Sequence, residues 1–465
     1  MAERIGAALW RTAFVLVSGT FMATLDATIV SVGIKELIAD FDAPVTEIQW
    51  VTTAYLLAVV TAVPASGWLA GRFGGKRTWI AAVVLFLLGS VLCALAWSAP
   101  SLIAFRVLQG FGGGLLPPVG QAVLARAAGP ERIGRVMSVV AVVPLLSPVL
   151  GPLIGGSILG VADWPWLFYV NLPIGIAVLV LAPRCVPADP PAGQKQPFDL
   201  LGAVLLSPGI ALLVFGLGEV GSRTVPVGIA LGAALLGLGM LAGFVRHGLR
   251  STRPPLLDPR LFARPPLGAA ALALVVLGAS VFGTMFLLPL YLQTGRGLSS
   301  WEAGLLLAPQ GLGAVLGSLL VNRLIDRKSP RGLVLAGIAL IALGTAPLTG
   351  LAVLETDALL GSALLVRGLG IAMIGAPVMS AVYRRMRPPE LPGASCALNM
   401  LNTVGGSVGT ALIAVVLQAK LADQPAPLAF TGTFWWVLGC CLVAVLGAIL
   451  LPSTAEPEPR PAQRA

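Results

Sequence analysis

The chain has 465 residues, of which 57% are hydrophobic and only 11% are charged. Soluble globular domains carry roughly 25% charged residues, so this composition excludes an ordinary soluble protein and indicates one that crosses a lipid bilayer many times. The formal net charge is +10, but no basic stretch is interleaved with aromatic residues. We therefore expect no nucleic-acid partner, and attribute the charge to loops at one membrane face.

Fourteen apolar runs are long enough to cross a bilayer, for which a helix needs about 20 residues. The first run is long, contains an aspartate and lacks a convincing cleavage site, so it is predicted to be a retained helix and not a signal peptide. The predicted spans lie at roughly 12–34, 47–71, 78–97, 100–125, 136–159, 166–183, 200–218, 226–245, 266–292, 302–322, 332–352, 358–382, 394–418 and 430–451.

The distribution of basic residues predicts the orientation of these helices. With both termini in the cytoplasm, 24 of the 30 Lys and Arg residues fall on the cytoplasmic side, as the positive-inside rule requires. A miscount of one helix would destroy this asymmetry, so the asymmetry also supports fourteen spans. The Ala-, Gly-, Pro- and Arg-rich composition favours a bacterial genome, and hence the bacterial cytoplasmic (inner) membrane.

Two charged side chains inside the spans are the leading functional candidates. Asp26, in the first span, is the only carboxylate in the interior of any span, and an ionisable group in hydrocarbon is costly enough to suggest a function. Arg106, in the fourth span, lies at a matching depth, roughly 9–12 Å below the outer face at 1.5 Å per residue. We predict that the two meet and couple conformation to proton affinity. A permanent ion pair that tolerates burial is the alternative.

Small residues and loops indicate where helices pack and where the cytoplasmic face closes. The acidic stretch after the first span is predicted to be an external loop that ends at Trp50. In the fifth span, small residues recur every four positions and form a packing stripe, and two prolines bend the helix. A cytoplasmic gate is predicted at the ends of the second and tenth spans, and its residues are Gly67, Arg72, Gly74, Lys76, Arg77, Asp326 and Arg327.

The chain divides into two bundles of six helices separated by an inserted helical hairpin. Residues 367–370 in the twelfth span resemble residues 106–109 in the fourth, and residues 322–331 resemble the end of the second. Such parallel repeats are typical of transporters. The predicted units are an N-terminal bundle (1–183), a linker with two additional helices (184–265), a C-terminal bundle (266–451) and a cytoplasmic tail (452–465).

Five segments carry sequence motifs in a fixed order. They are Leu25–Lys35 (LDxTIVNVALP, with Ser31 in place of the Asn and Gly33-Ile34-Lys35 in place of ALP), residues 67–77 (GxLADRxGRK, with Gly71 in place of the Asp), Arg106–Gly110 (RxxQG), Gly151–Gly156 (GPxxGG) and Trp164–Gly175 (WRWxFxxNxPxG, with Pro165 in place of the Arg). Together they resemble the major facilitator superfamily, and within it the fourteen-helix drug:proton antiporter family. The resemblance implies an all-α, polytopic major facilitator fold with pseudo-twofold halves in a 6+2+6 arrangement.

The resemblance also implies roles for particular residues. The antiporter motif of the fifth helix falls on Ser147, Pro148, Gly151, Pro152, Gly155 and Gly156. The acid of the loop motif helps the family to latch its outward-facing state. Gly71 lacks that acid, whereas Asp326 keeps it in the second half.

A substrate cavity is expected between the halves near the bilayer midplane. With one carboxylate in the spans, it suits lipophilic neutral or weakly cationic compounds. Candidate contacts are Tyr55, Gln109, Gln121, Phe286, Tyr291, Gln293, Gln310, Asn399 and Asn402. Arg367, in the twelfth span, is expected to bond to carbonyls or to line the cavity, since no acid lies in the matching ninth span.

The predicted function is proton-coupled export of drugs or antibiotic-like compounds by alternating access, carried out by a monomer whose partners are the substrate, protons and the bilayer. A substrate-specific facilitator or importer is the alternative, and the GPxxGG-like segment argues against it. An intramembrane enzyme or lipid-handling scaffold would need a catalytic constellation, and the sequence offers no P-loop, no Cys/His pair and no carboxylate dyad. We therefore expect no enzyme activity, no cofactor and no metal.

Overall fold

The computed structural model describes residues 6–140, 143–189, 198–219, 225–251, 255–263, 265–325, 327–350, 356–386 and 390–451. Among the predicted features, Asp326, the tail 452–465 and the side chains of Pro148 and Pro152 lie outside the described residues. The described chain is helical and has no strand, so the predicted all-α class is confirmed.

The N-terminal part contains six long helices and two short ones. They are α1 (Ala7–Ile29), α2 (Ile34–Phe41), α3 (Val45–Phe73), α4 (Gly75–Ala94), α5 (Ala99–Val140), α6 (Val143–Leu159), α7 (Trp166–Tyr169) and α8 (Asn171–Cys185). Two helices make up α5 and meet at Gly129, where φ is 70° and ψ is 171°. This backbone conformation suits glycine, and Pro130 follows it at a position where its missing N–H costs nothing.

The remaining helices follow after the first bundle. They are α9 (Leu200–Glu219), α10 (Val227–Arg250), α11 (Pro265–Leu290), α12 (Ser300–Leu324), α13 (Pro330–Thr345), α14 (Asp357–Tyr383), α15 (Leu391–Asp423) and α16 (Ala426–Ile449). Thirteen helices of the described chain are long and apolar enough to cross a membrane. The described residues of the predicted fifth span lie in the last turn of α5 and in α6, on either side of residues 141–142.

One local expectation is wrong. The acidic stretch after the first span is not simply a loop, because Ile34–Phe41 forms the short helix α2. Its Leu37 is buried, while Asp40 accepts a hydrogen bond of 2.8 Å from Trp164 Nε1. An amphipathic turn of helix thus covers the end of the bundle, and its acidic residues misleadingly suggested an irregular loop.

Glycines allow the helices of both bundles to approach backbone to backbone. In the first bundle, α5 packs against α3 and α4, and a Cβ at Gly112 would lie 2.6 Å from Phe86 N. In the second, α14 packs against α12 and α13, and a Cβ at Gly317 would lie 2.6 Å from Leu369 O. The same helix triplet therefore recurs in the two halves.

Helices α9 and α10 form a hairpin that contacts both halves. The two helices pack closely on each other, since a Cβ at Gly237 would lie 2.6 Å from Gly209 O. On its other side α9 packs against α3 and α15. Trp50 of α3 stacks on Phe215 of α9, with ring centroids 6.0 Å apart.

Candidate functional site

The centre of the N-terminal bundle contains a buried ion pair. Helix α1 supplies Asp26 and α5 supplies Arg106, both side chains are 0% exposed, and Arg106 Nη1 donates to Asp26 Oδ2. Arg106 Nε donates to Val51 O at 3.1 Å. The guanidinium also covers the Tyr55 ring, with Cζ 4.0 Å from the ring centroid. The two charges that the sequence placed at equal depth are therefore in direct contact.

Amide side chains complete the network around this pair. Gln109 Nε2 and Asn171 Nδ2 donate to Asp26 Oδ1 at 2.9 and 2.8 Å, and Gln109 Oε1 accepts from Arg106 Nη1 at 2.7 Å. Ser90 Oγ accepts from Gln109 at 2.8 Å and from Asn171 at 3.3 Å. Side chains from α1, α4, α5 and α8 thus converge on one carboxylate.

Two members of this network, Asn171 and Ser90, were not predicted from the sequence. Asn171 lies within the segment that carried the family resemblance, so the motif offered a signal for it. Ser90 carries a hydroxyl in an otherwise apolar stretch of helix, and nothing in the sequence indicated that it belongs to this network. Among the described residues, Arg106 Nη2 and Asn171 Oδ1 are buried without a hydrogen-bond partner.

The predicted antiporter motif packs against the turn of α1 that carries Asp26. Thr28 Oγ1 donates to Ser147 O at 3.0 Å, and Ser147 Oγ lies 2.7 Å from Thr24 Oγ1. A Cβ at Gly151 would overlap Thr28 Oγ1, and one at Gly155 would lie 3.0 Å from a side-chain carbon of α1. The small-residue stripe therefore allows α6 to lie directly on α1.

A second buried cation lies in the C-terminal bundle. Arg367 is 0% exposed and donates to Thr345 Oγ1 at 3.2 Å, Gln310 Oε1 at 3.2 Å, Thr284 Oγ1 at 2.7 Å and Ser280 O at 2.8 Å. No carboxylate of the described residues pairs with it, in agreement with the absence of an acid in the ninth span. Ser280 and Thr284 are four residues apart on α11, a spacing that the sequence analysis did not use.

The nine predicted substrate contacts are distributed over several places. Tyr55 and Gln109 belong to the Asp26 network, and Gln310 contacts Arg367. Tyr291 is in the core of the second bundle, with its ring centroid 5.4 Å from that of Phe430. The remaining five are Gln121 and Asn399, which contact each other, Asn402, which is half-buried on α15, and Phe286 and Gln293, which are exposed.

Hydrogen bonds join the two halves at the end predicted to be cytoplasmic. Gln121 Oε1 accepts from Asn399 Nδ2 at 2.8 Å and from Tyr383 Oη at 3.3 Å. Ser395 Oγ donates to Pro118 O at 2.6 Å. These contacts lie in α5 shortly before its bend at Gly129, toward the end of α14 and at the beginning of α15, on the opposite side of the bundle centre from α2.

The predicted gate residues of α3 and α4 lie at this same end. Gly67 faces the backbone of the second half, and a Cβ on this glycine would lie 3.4 Å from Pro392 O. Lys76 Nζ donates a hydrogen bond to Pro183 O at 2.7 Å. Gly74 has φ of 95°, and a Cβ there would overlap the Asp189 carboxylate, which accepts from Lys76 N at 2.9 Å. The other described gate residues are Arg72, half-buried, and Arg77 and Arg327, exposed.

Long apolar helices in two bundles, each with a buried arginine at its centre, define a multi-pass membrane protein. The family model described as Major Facilitator Superfamily matches residues 16–410. The chain belongs to the Major Facilitator Superfamily, and it is a transporter and not an enzyme.

Similar proteins agree with this assignment. A protein of Mycobacterium tuberculosis named "Multidrug resistance protein B homolog" is 41% identical over 418 residues, which cover 89% of this chain and 77% of the relative. The "Tetracenomycin C resistance and export protein" of Streptomyces glaucescens is 32% identical over 425 residues, with the same coverage of 89% and 77%. The structure of the proton:xylose symporter XylE aligns with a TM-score of 0.65 at 16% identity, covering 95% of each chain, and supports the fold alone. The family expected from the sequence is confirmed.

Proposed function

We propose that this chain is a proton-coupled antiporter that exports lipophilic or weakly cationic drugs, or antibiotic-like compounds, by alternating access. The observation that carries the proposal is the ion pair between Asp26 and Arg106, fully buried at the centre of the first bundle. Ionisable groups within a membrane helix bundle are costly and mark ion or proton pathways. The class of exported compound is suggested by the relatives, whose names refer to multidrug resistance and to export of tetracenomycin C.

The contacts of Asp26 supply a route from proton binding to movement. A nearby cation favours the charged form of a carboxylate, so protonation of Asp26 and separation from Arg106 favour each other. Once Asp26 is neutral, Arg106 keeps the Val51 carbonyl, Gln109 and the Tyr55 ring. Its buried and unpartnered Nη2 is a further donor that a rearranged site could use. Proton uptake therefore loosens α1 from α5.

The energy of one proton is adequate for such a change. Moving a charge through 100 mV contributes about 2.3 kcal/mol. This is enough to shift an equilibrium between two conformations by roughly fiftyfold. In the conformation described above, hydrogen bonds hold the halves together at the predicted cytoplasmic end, so this state corresponds to one closed on that side.

The antiporter motif and the gate take matching roles in this proposal. Because α6 lies on the turn of α1 that carries Asp26, a displacement of α1 is passed directly to α6. Separation at Gly67, Gln121 and Asn399 would open the cytoplasmic end. Contact of substrate with the nine candidate side chains stays a prediction.

The test is export of ethidium from cells that express the protein, with and without a protonophore. Wild type is expected to lower cellular ethidium only while the proton gradient is intact. Asp26→Asn is expected to abolish this export. The matched control is Asp357→Asn, which removes a carboxylate from an exposed pair with Arg296 and should retain export.

Two outcomes would contradict the proposal. Export by wild type that continues after the gradient has collapsed would favour a facilitator over an antiporter. Export against a gradient by Asp26→Asn would move the proton site away from this carboxylate. If wild type exports no ethidium, the same comparison is made with tetracenomycin C, which tests a narrower substrate.

A further inference from the structure

The inserted hairpin has a recess that the transport cycle described above does not use. It has a volume of about 360 Å³ and lies between the first turns of α9 and the last turns of α10. Leu201 and Leu205 of α9 line one wall, and Arg246, His247 and Arg250 of α10 line the other. The recess therefore has an apolar side and a basic side.

The basic side carries charge that the described part of the chain leaves unpaired. Arg246 and Arg250 are four residues apart, so their side chains lie on the same face of α10. Both are exposed, and neither forms an ion pair or a side-chain hydrogen bond with a described residue. Two like charges at this spacing repel each other, so an anion between them would stabilise the end of the helix.

The acid nearest to this recess is already engaged. Asp199, just before α9, accepts from Gly202 N at 2.9 Å and from Leu256 N at 3.2 Å, and its Oδ1 lies 3.0 Å from His247 Nε2. These contacts join the beginning of α9 to the end of α10 and direct the carboxylate toward backbone N–H groups and the imidazole. The two arginines remain available to an external anion.

The position of the recess indicates what kind of anion it would take. It lies where two candidate membrane spans, Leu200–Glu219 and Val227–Arg250, reach the predicted cytoplasmic boundary. The apolar wall continues along the hairpin through Val204, Val245 and Leu249, which are exposed. A soluble phosphate compound would use the arginines and leave this wall bare. A phospholipid would use both, with its phosphate on the guanidinium groups and an acyl chain along the apolar residues.

We propose that the recess between α9 and α10 binds the headgroup of an anionic phospholipid, with Arg246 and Arg250 as its phosphate ligands. The binding site is independent of the proton-coupling site in the first bundle, and its occupation does not depend on the transported compound. Since α9 also packs against α3 and α15, a lipid bound here would hold the hairpin in place beside both halves.

The test is native mass spectrometry of the full-length protein in detergent, titrated with dioleoylphosphatidylglycerol or with dioleoylphosphatidylcholine. Wild type is expected to retain the anionic lipid in preference to the zwitterionic one. Each basic side chain near an anionic lipid contributes roughly fivefold to affinity, so Arg246→Gln with Arg250→Gln should weaken phosphatidylglycerol binding by about 30-fold. The matched control is the double variant Arg323→Gln with Lys328→Gln, which removes two exposed charges from the same predicted membrane face. This control should change phosphatidylglycerol binding little.

The outcomes separate the lipid from other ligands. Two results would overturn the proposal. One is equal retention of the two lipids, and the other is unchanged phosphatidylglycerol binding in the double variant Arg246→Gln with Arg250→Gln. Displacement of the lipid by millimolar inorganic phosphate or glycerol phosphate would assign the recess to a soluble anion instead. If the double variant does not fold, the single variants Arg246→Gln and Arg250→Gln, each expected to weaken binding about fivefold, replace it.

Discussion

Neutralising both members of the buried pair distinguishes a proton-coupling site from a static ion pair. Asp26→Asn alone leaves the Arg106 charge buried with only neutral partners, and Arg106→Gln alone leaves a buried carboxylate with two amide donors. Removing one partner of a buried pair costs about 3–5 kcal/mol of folding stability. Removing both leaves no buried charge, and such replacements are often neutral or stabilising.

The effects of Asp26→Asn and Arg106→Gln on folding stability should therefore be strongly non-additive. Each single variant is expected to unfold at a lower temperature than wild type in detergent, and the double variant is expected to recover most of the loss. The interaction free energy from the double-mutant cycle should then approach the sum of the two single-variant penalties, about 6–10 kcal/mol.

Transport should not follow stability. If the ion pair is permanent and has no role in coupling, the double variant regains both folding stability and uphill export. If Asp26 carries the proton, the double variant folds but does not pump, since no carboxylate remains at the site. Uptake of ethidium into inverted membrane vesicles energised with a proton gradient measures this directly. Uphill, uncoupler-sensitive export by the double variant at a rate near that of wild type would refute the coupling role.

Three further predictions follow from the packing. Gly151→Ala should lower the folding stability by about 1–3 kcal/mol and reduce export, because the added Cβ overlaps α1. The control is Gly156→Ala in the same motif, whose Cβ meets nothing within 4 Å. This variant should leave the melting temperature and the export rate unchanged. Gly74→Ala should lower the melting temperature more than Gly129→Ala, since both positions have positive φ but only the first also overlaps a carboxylate. Asn399→Ala removes one hydrogen bond between the halves, which is worth about 1 kcal/mol. The fraction of molecules that are open at the cytoplasmic end should therefore rise several-fold. Double electron–electron resonance between spin labels placed at that end measures this fraction.

Much of the fold could be predicted because the bilayer imposes simple rules. Length and hydropathy located the spans, and the basic loops ordered them. The boundary between the predicted fourth and fifth spans was harder to locate, because the helix continues beyond residue 125 and bends at Gly129. Hydropathy gives no signal for such a bend. The helix α2 was missed because eight residues give too short a pattern to distinguish an amphipathic helix from a polar loop.

The candidate site divides in the same way. Helix depth was enough to bring Asp26 and Arg106 together, since rise per residue is fixed. Depth cannot decide which polar side chains turn inward, because this depends on helix rotation. Ser90 and Asn171 were therefore missed, and Tyr291 is packed in the core of the second bundle.

The hairpin makes the two sides of the bundle unequal. Besides the contacts of α5, the halves adjoin along two seams, α3 with α15 and α6 with α12. Helix α9 lies against both α3 and α15, and so it covers the first seam. In the described part of the chain, the corresponding contact between α6 and α12 has no such helix of the hairpin among its main neighbours. The insertion thus makes a nearly twofold bundle different on its two sides.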